Sequence, residues 1–261
     1  ERGEEARRHL LAALPVFERL GTWADLIGLR AWMVLASLQV GDVDEAEHWL
    51  EQTAPRQADE PIGTLTYGLG VRAEIQLARG EVEAGLRLWR RAVDLLANAE
   101  GPIFGLEADP GQDQWTLEAK AVTVVAHAQH GRLDLVEELT AELPHRLSAI
   151  LANPMANPPP YLMELPTCGG LLLALGMVDL DHGARAGDRP ATRSGARMIA
   201  LAERFRFLRN FQPTMSAARA HQAATHADRP AYDEAVSSYA GLGQEDLRAA
   251  VLALLREREQ G

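Results

Sequence analysis

Among 261 residues there is one cysteine, Cys168, and one lysine, Lys120. A lone cysteine excludes an intrachain disulfide and points to a reducing compartment, so a cytoplasmic location is expected. Aromatic residues make up only 5% of the chain, and runs of Val, Ile, Thr and Tyr are few, which leaves little from which to build strands. No apolar run approaches the ~20 residues that cross a bilayer. No signal peptide opens the chain, which starts at Glu1 as if in mid-helix, and a fragment of a longer protein without membrane contact is expected. Cations are outnumbered, 26 Lys and Arg against 37 Asp and Glu, for a net charge of −11. That balance disfavours direct contact with a nucleic-acid backbone, which needs clustered positive charge.

Catalytic signatures are scarce as well. Gly63, Gly68 and Gly70 are followed by no Gly-Lys-Ser/Thr, so they form no phosphate loop. There is no Gly-x-Ser-x-Gly nucleophile elbow. The reading is of a protein that is not an enzyme and holds neither cofactor nor metal. His127 and His130 are three residues apart, but no third ligand is evident, and histidines beside Gly131 suit a helix C-terminus. Asp179, Asp181 and His182 precede Gly183 without the spacing of a calcium loop, and read as a solvated helix end. Cys168, beside an apolar run, reads as a buried inert thiol.

What the chain does have is Leu, Ala and Val at helical spacing, within a hydrophobic content of 47%. A helix over 3–20 carries Leu10, Leu14, Phe17 and Leu20, with Pro15 expected to kink or split it. Then one pattern recurs: an amphipathic helix, a glycine, and a second helix with an acidic first turn. Helices 22–40 and 42–54 flank Gly41, 62–79 and 81–97 flank Gly80, and 114–130 and 132–143 flank Gly131. A weaker copy places Gly187 between 161–182 and 190–208, and a fifth places Pro230 between 213–227 and 230–241. A closing helix spans 243–259. The markers stand 39, 51, 56 and 43 residues apart, longer than the 34 of a minimal tetratricopeptide (TPR) repeat. The predicted fold is all-α, a single TPR-like α-α superhelix of about five helix pairs over 1–261, plus the closing helix.

Small residues allow the helices of a pair to approach, and one bulky residue plugs the gap. In the second copy Ala73 and Ala92 are the small positions and Trp89 the plug. Leu50 and Tyr239 take the plug position in the first and fifth copies, while the third has Thr140 there. Two insertions, 98–113 and 152–160, are rich in turn-formers. They read either as surface linkers or, in the first, as a loop whose Ile103, Phe104 and Leu106 fold back on the superhelix.

The first helices of the pairs would line a concave groove. The repeat pattern maps Trp32, Leu35, Glu74, Asp181, Arg185 and His221 toward it, with Tyr67 nearby. Aromatic and charged residues together suit a peptide, another domain or a small effector. A clamp for a peptide's C-terminal carboxylate uses groove lysines, and a chain with Lys120 alone can hardly build one.

Residues 195–219 are more particular. They include Arg197-Met198-Ile199-Ala200-Leu201-Ala202-Glu203-Arg204-Phe205-Arg206-Phe207-Leu208-Arg209-Asn210-Phe211-Gln212-Pro213-Thr214. This stretch, with 232–235 and 247–250, resembles the closing segment of large actinobacterial transcriptional regulators of the AfsR/SARP type. The specific likeness covers about the last third of the chain; residues 20–145 resemble regulatory TPR arrays in general. Such regulators join a winged-helix DNA-binding domain, a bacterial transcriptional activation domain, a STAND ATPase and C-terminal TPRs. The resemblance implies a TPR portion that senses or autoinhibits, with the ATPase or activation domain of the same polypeptide, or a signalling partner, on the groove. Two alternatives stand beside it: a small-effector sensor of a maltose-regulator-like (LuxR-type) activator, and a generic TPR adaptor.

Overall fold

The computed structural model describes residues 2–20, 23–53, 62–99, 114–152 and 164–260. These residues are all-α. The first helices are α1 (Arg2–Leu20), α2 (Trp23–Val40), α3 (Val43–Gln52), α4 (Ile62–Ala78), α5 (Val82–Ala97) and α6 (Gln114–Gln129). After a 3-10 turn (Leu133–Leu135) come α7 (Glu137–Ala152), α8 (Glu164–Ala186), α9 (Arg189–Arg204), α10 (Ala217–Tyr239) and α11 (Gln244–Gln260). The insertion positions 100–113 and 153–160, with Ile103, Phe104 and Leu106, lie outside the described residues.

The marker glycines do the work expected of them. Gly41, Gly80, Gly131 and Gly187 have φ of 81°, 81°, 64° and 67°, the left-handed region in which a Cβ is strained. At the first three the hydrogen bonds repeat. Gly41 N–H donates to Leu38 O and Asp42 N–H to Ser37 O, at 3.1 and 2.9 Å; Gly80 and Glu81, and Gly131 and Arg132, bond in the same way. Each turn thereby satisfies the last carbonyls of one helix and aims the chain into the next. Asp42 and Asp188 then cap the following helices, accepting from Glu45 N–H and Ala191 N–H at 3.1 and 3.2 Å. In the fifth pair two helices meet within α10 across a kink at Asp228, whose φ/ψ of −151°/81° is not helical and whose Oδ1 accepts from Ala231 N–H at 3.0 Å.

The helices gather into two compact units. One comprises residues 1–111 together with Asn210–Thr214; the other comprises Gln112–Arg209 and Met215–Gly261. In the first unit α2 packs on α1 and α3, and α4 packs on α2, α3 and α5. Trp89, Ala73 and Ala92 are buried there as the plug and the small residues. In the second unit α6 packs on α8, α8 on α9, and α9 on α10, with α11 against α7 and α9. The α8–α9 crossing is built on two glycines. A Cβ on Gly195 would lie 2.7 Å from Gly176 O, and one on Gly176 would lie 2.8 Å from Ile199. We expect Gly195→Val to force the two backbones apart and cost about 1–3 kcal/mol. A thermal melt checks this, and an unchanged midpoint would contradict the close approach.

Several boundaries differ from the sequence reading. Helix α1 runs unbroken through Pro15. Helix α7 continues through Pro144 to Ala152 instead of stopping at 143, because Leu139, Leu143, Leu147 and Leu151 form a buried stripe at four-residue spacing. Burial of that stripe outweighs the one hydrogen bond that proline removes. Helix α9 ends at Arg204 instead of 208, and α10 starts at Ala217 instead of 213. Arg206 has a φ of 55°, and Phe205, Phe207, Phe211 and Met215 are all buried in the stretch between. Their spacing of two, four and four does not fit one helical face.

Candidate interaction site

Tyr67, Gly70 and Glu74 share one stripe of α4 by their spacing of three and four residues. Glu74 is completely buried, at 0% exposure. A buried carboxylate must find donors or remain costly, and Glu74 finds them on both oxygens. Trp89 Nε1–H of α5 donates to Oε1 at 2.8 Å. The backbone N–H of Thr214 donates to Oε2, also at 2.8 Å, across 140 positions of sequence. Phe211 stands edge-on to Trp89, ring centroids 4.8 Å apart at 84°, and tilts against Tyr67 at 5.9 Å. Gly70 makes the room: a Cβ there would meet the Trp89 ring at 2.7 Å and Phe211 at 3.3 Å. Two α-helices thus hold a non-helical segment by an aromatic slot and a buried acceptor.

The seven residues mapped to a groove are placed unevenly. Tyr67, half-buried, and Glu74 meet at the site just described. Glu74 is not on a solvated face, because 211–214 and Trp89 enclose it. Leu35, 2% exposed, is core rather than groove. Residues 33 to 38 of α2 are buried without interruption, whereas Trp32 is 55% exposed. The other three lie in the second unit. Asp181 pairs with Arg185 one turn on, at 3.0 Å, and Arg185 Nη2 donates to Gly131 O at 2.8 Å. His221 is exposed, its Nδ1 3.0 Å from the Tyr232 hydroxyl, which donates to Glu203 at 2.9 Å. Burial, helped by that acceptor, holds the Tyr232 phenol well above its ordinary pKa.

Phe211, Thr214 and Trp89 were missing from that map. The sequence does carry a signal for the first two, in the aromatics from Phe205 onward that break helical spacing. The end of α8 also differs from a solvated terminus. Asp179 is buried, accepting from Ser194 Oγ and from Arg258 Nε of α11, both at 2.8 Å. Cys168 is fully buried. His127 is buried, and its Nδ1–H donates to Thr123 O at 2.7 Å. Burial, with the Arg219 charge, lowers the pKa of His130.

Two more features of the second unit concern ionisable groups. Lys120 Nζ and Arg146 Nε both donate to Glu142, at 2.8 and 2.6 Å. Glu118, also on α6, has no hydrogen-bond partner on either carboxyl oxygen among the described residues, and burial pushes its pKa up to about 7. An open, mostly polar depression of about 300 Å³ lies between α9 and α10, lined by Arg193, Arg197, Glu234, Ser238 and Tyr239 among others. Arg197 is held there by Glu257 at 2.8 Å. Among the described residues no helix is long and apolar enough to cross a membrane.

No protein-family model matches the chain, and no curated protein or solved structure matches it either.

Proposed function

We propose that the chain is the regulatory TPR-like interaction module of an AfsR/SARP-type transcriptional activator in the cytoplasm. In this reading its helix pairs contact the ATPase or activation domain of the same polypeptide, or a signalling partner, and bias the activator between resting and active states. DNA binding and ATP hydrolysis belong to other domains. The observation that supports the reading is the self-recognition at Glu74. There a helix pair already holds a non-helical turn segment by an aromatic anchor and a backbone N–H, as interaction modules hold partners. The segment it holds lies within 195–219, the stretch that carries the family likeness. A closed apolar cavity with convergent polar groups would favour the small-effector alternative; the α9–α10 depression is open and polar.

Isothermal titration of the intact chain against the separately purified ATPase domain tests the proposal. Saturable binding in the micromolar range is the expected outcome, on the order of −8 kcal/mol. Absence of heat and of complex at the highest attainable concentrations would count against it.

A further inference from the structure

Asn210–Thr214 belongs with the first unit, although the chain on either side of it, through Arg209 and from Met215, belongs with the second. The excursion reaches the α4–α5 pair with two anchors. Phe211 fills the slot between Tyr67 and Trp89 over Gly70, and three residues later the N–H of Thr214 meets Glu74. Gln212 and Pro213 between them are only half-buried. Among the described contacts of this turn segment, one aromatic ring and one main-chain donor anchor it. On the helix side the acceptor, the slot walls and the glycine that opens the slot come from a stretch of 23 positions, 67 to 89.

We propose that the α4–α5 face is a peptide-recognition site, and that residues 211–214 are its resident internal occupant, displaced by an outside segment with the same two anchors. The proposal rests on the interaction-module reading and adds the chemistry of the partner. That partner presents an aromatic side chain followed three residues later by a free backbone N–H, so proline is barred there. While the internal segment is docked, an outside peptide meets only the small fraction of molecules in which it has released, and its apparent affinity falls by that fraction.

A labelled peptide reproducing residues 209–216, and the same peptide with alanine in place of its phenylalanine, serve as probes in fluorescence anisotropy. The protein is the full chain as wild type, Phe211→Ala and Phe211→Leu. Expected results are binding of the first peptide to Phe211→Ala about tenfold or more tighter than to wild type, an intermediate gain for Phe211→Leu, and little binding of the alanine peptide. If Phe211→Ala loses its helical circular dichroism, Phe211→Leu, which keeps an apolar anchor, carries the comparison. A folded variant that binds the peptide no better than wild type, or equal binding of both peptides, overturns the proposal. Peptide binding without any titration by the ATPase domain would retain the site and remove the regulatory reading. The reverse pair of results would do the opposite.

Discussion

Trp89→Ala should destabilise the first unit by about 3–5 kcal/mol, the usual range for truncating a buried Trp. Three contributions place it at the upper end. Trp89 is 1% exposed, so nearly all its area returns to water in the unfolded chain. Its loss also removes the edge-on partner of Phe211 at 4.8 Å. And Glu74 Oε1, fully buried, loses the indole N–H that it accepts at 2.8 Å, leaving an acceptor without its donor. A fall in melting temperature on the order of 10–20 °C follows for a unit of this size. Trp89→Phe separates the effects, keeping much of the ring while deleting the donor. It should retain part of the packing and still cost about 1–3 kcal/mol. A Trp89→Phe midpoint equal to that of wild type would mean that the Glu74 bond contributes nothing.

The second large effect is a dependence on pH that originates at Glu118. Its ordinary value of 4.5 rises to about 7 in the folded chain because burial disfavours the charged form. Lys120 on the same helix is engaged by Glu142, and among the described residues neither Glu118 oxygen has a hydrogen-bond partner to offset the desolvation. With a folded value above the unfolded one, the folded state binds the proton more tightly. Its stabilising effect is full below about pH 4.5 and is lost as pH rises through about 7. The shift corresponds to about 3 kcal/mol. Glu118→Gln cannot ionise, so the difference between wild type and variant isolates this one group from the other carboxylates. Denaturant unfolding should show the variant gaining about 2.5 kcal/mol relative to wild type between pH 5 and pH 8, part of the effect being already lost at pH 5. An equal difference at both values would place Glu118 in contact with water.

How much of this was legible in the sequence depends on which interactions are local. The left-handed turns at Gly41, Gly80, Gly131 and Gly187 are local: a glycine where one periodic pattern ends and an acidic first turn begins. Their positions follow from the chain alone. The burial of Trp89, Ala73 and Ala92 is nearly local, since it needs only the antiparallel return of one helix upon its neighbour. Continuation of α7 through Pro144 is not, because the stripe of four leucines overrides the proline only once there is a surface to pack against. Glu74 marks the limit. A repeat pattern can place it on α4, but only the arrival of Thr214, 140 positions away, turns a groove residue into a buried acceptor. Phe211 was hidden for a related reason. It sits between the predicted helices 190–208 and 213–227, and the aromatic spacing around it gains meaning only from the slot that receives the ring.

The docking of 211–214 onto α4 and α5, held yet releasable, is the centre of this account, and native-state hydrogen exchange at the Thr214 amide tests it most directly. In the free wild-type chain that amide should exchange far more slowly than in an unstructured peptide, because Glu74 holds it. It should also exchange faster than the Ala92 amide in the core of α5, through a local opening that leaves the helices folded. Exchange at the unstructured rate would mean that the segment is not docked. Exchange identical to that of Ala92 would mean that it leaves only when the whole unit unfolds, and that the site is never free to receive another chain.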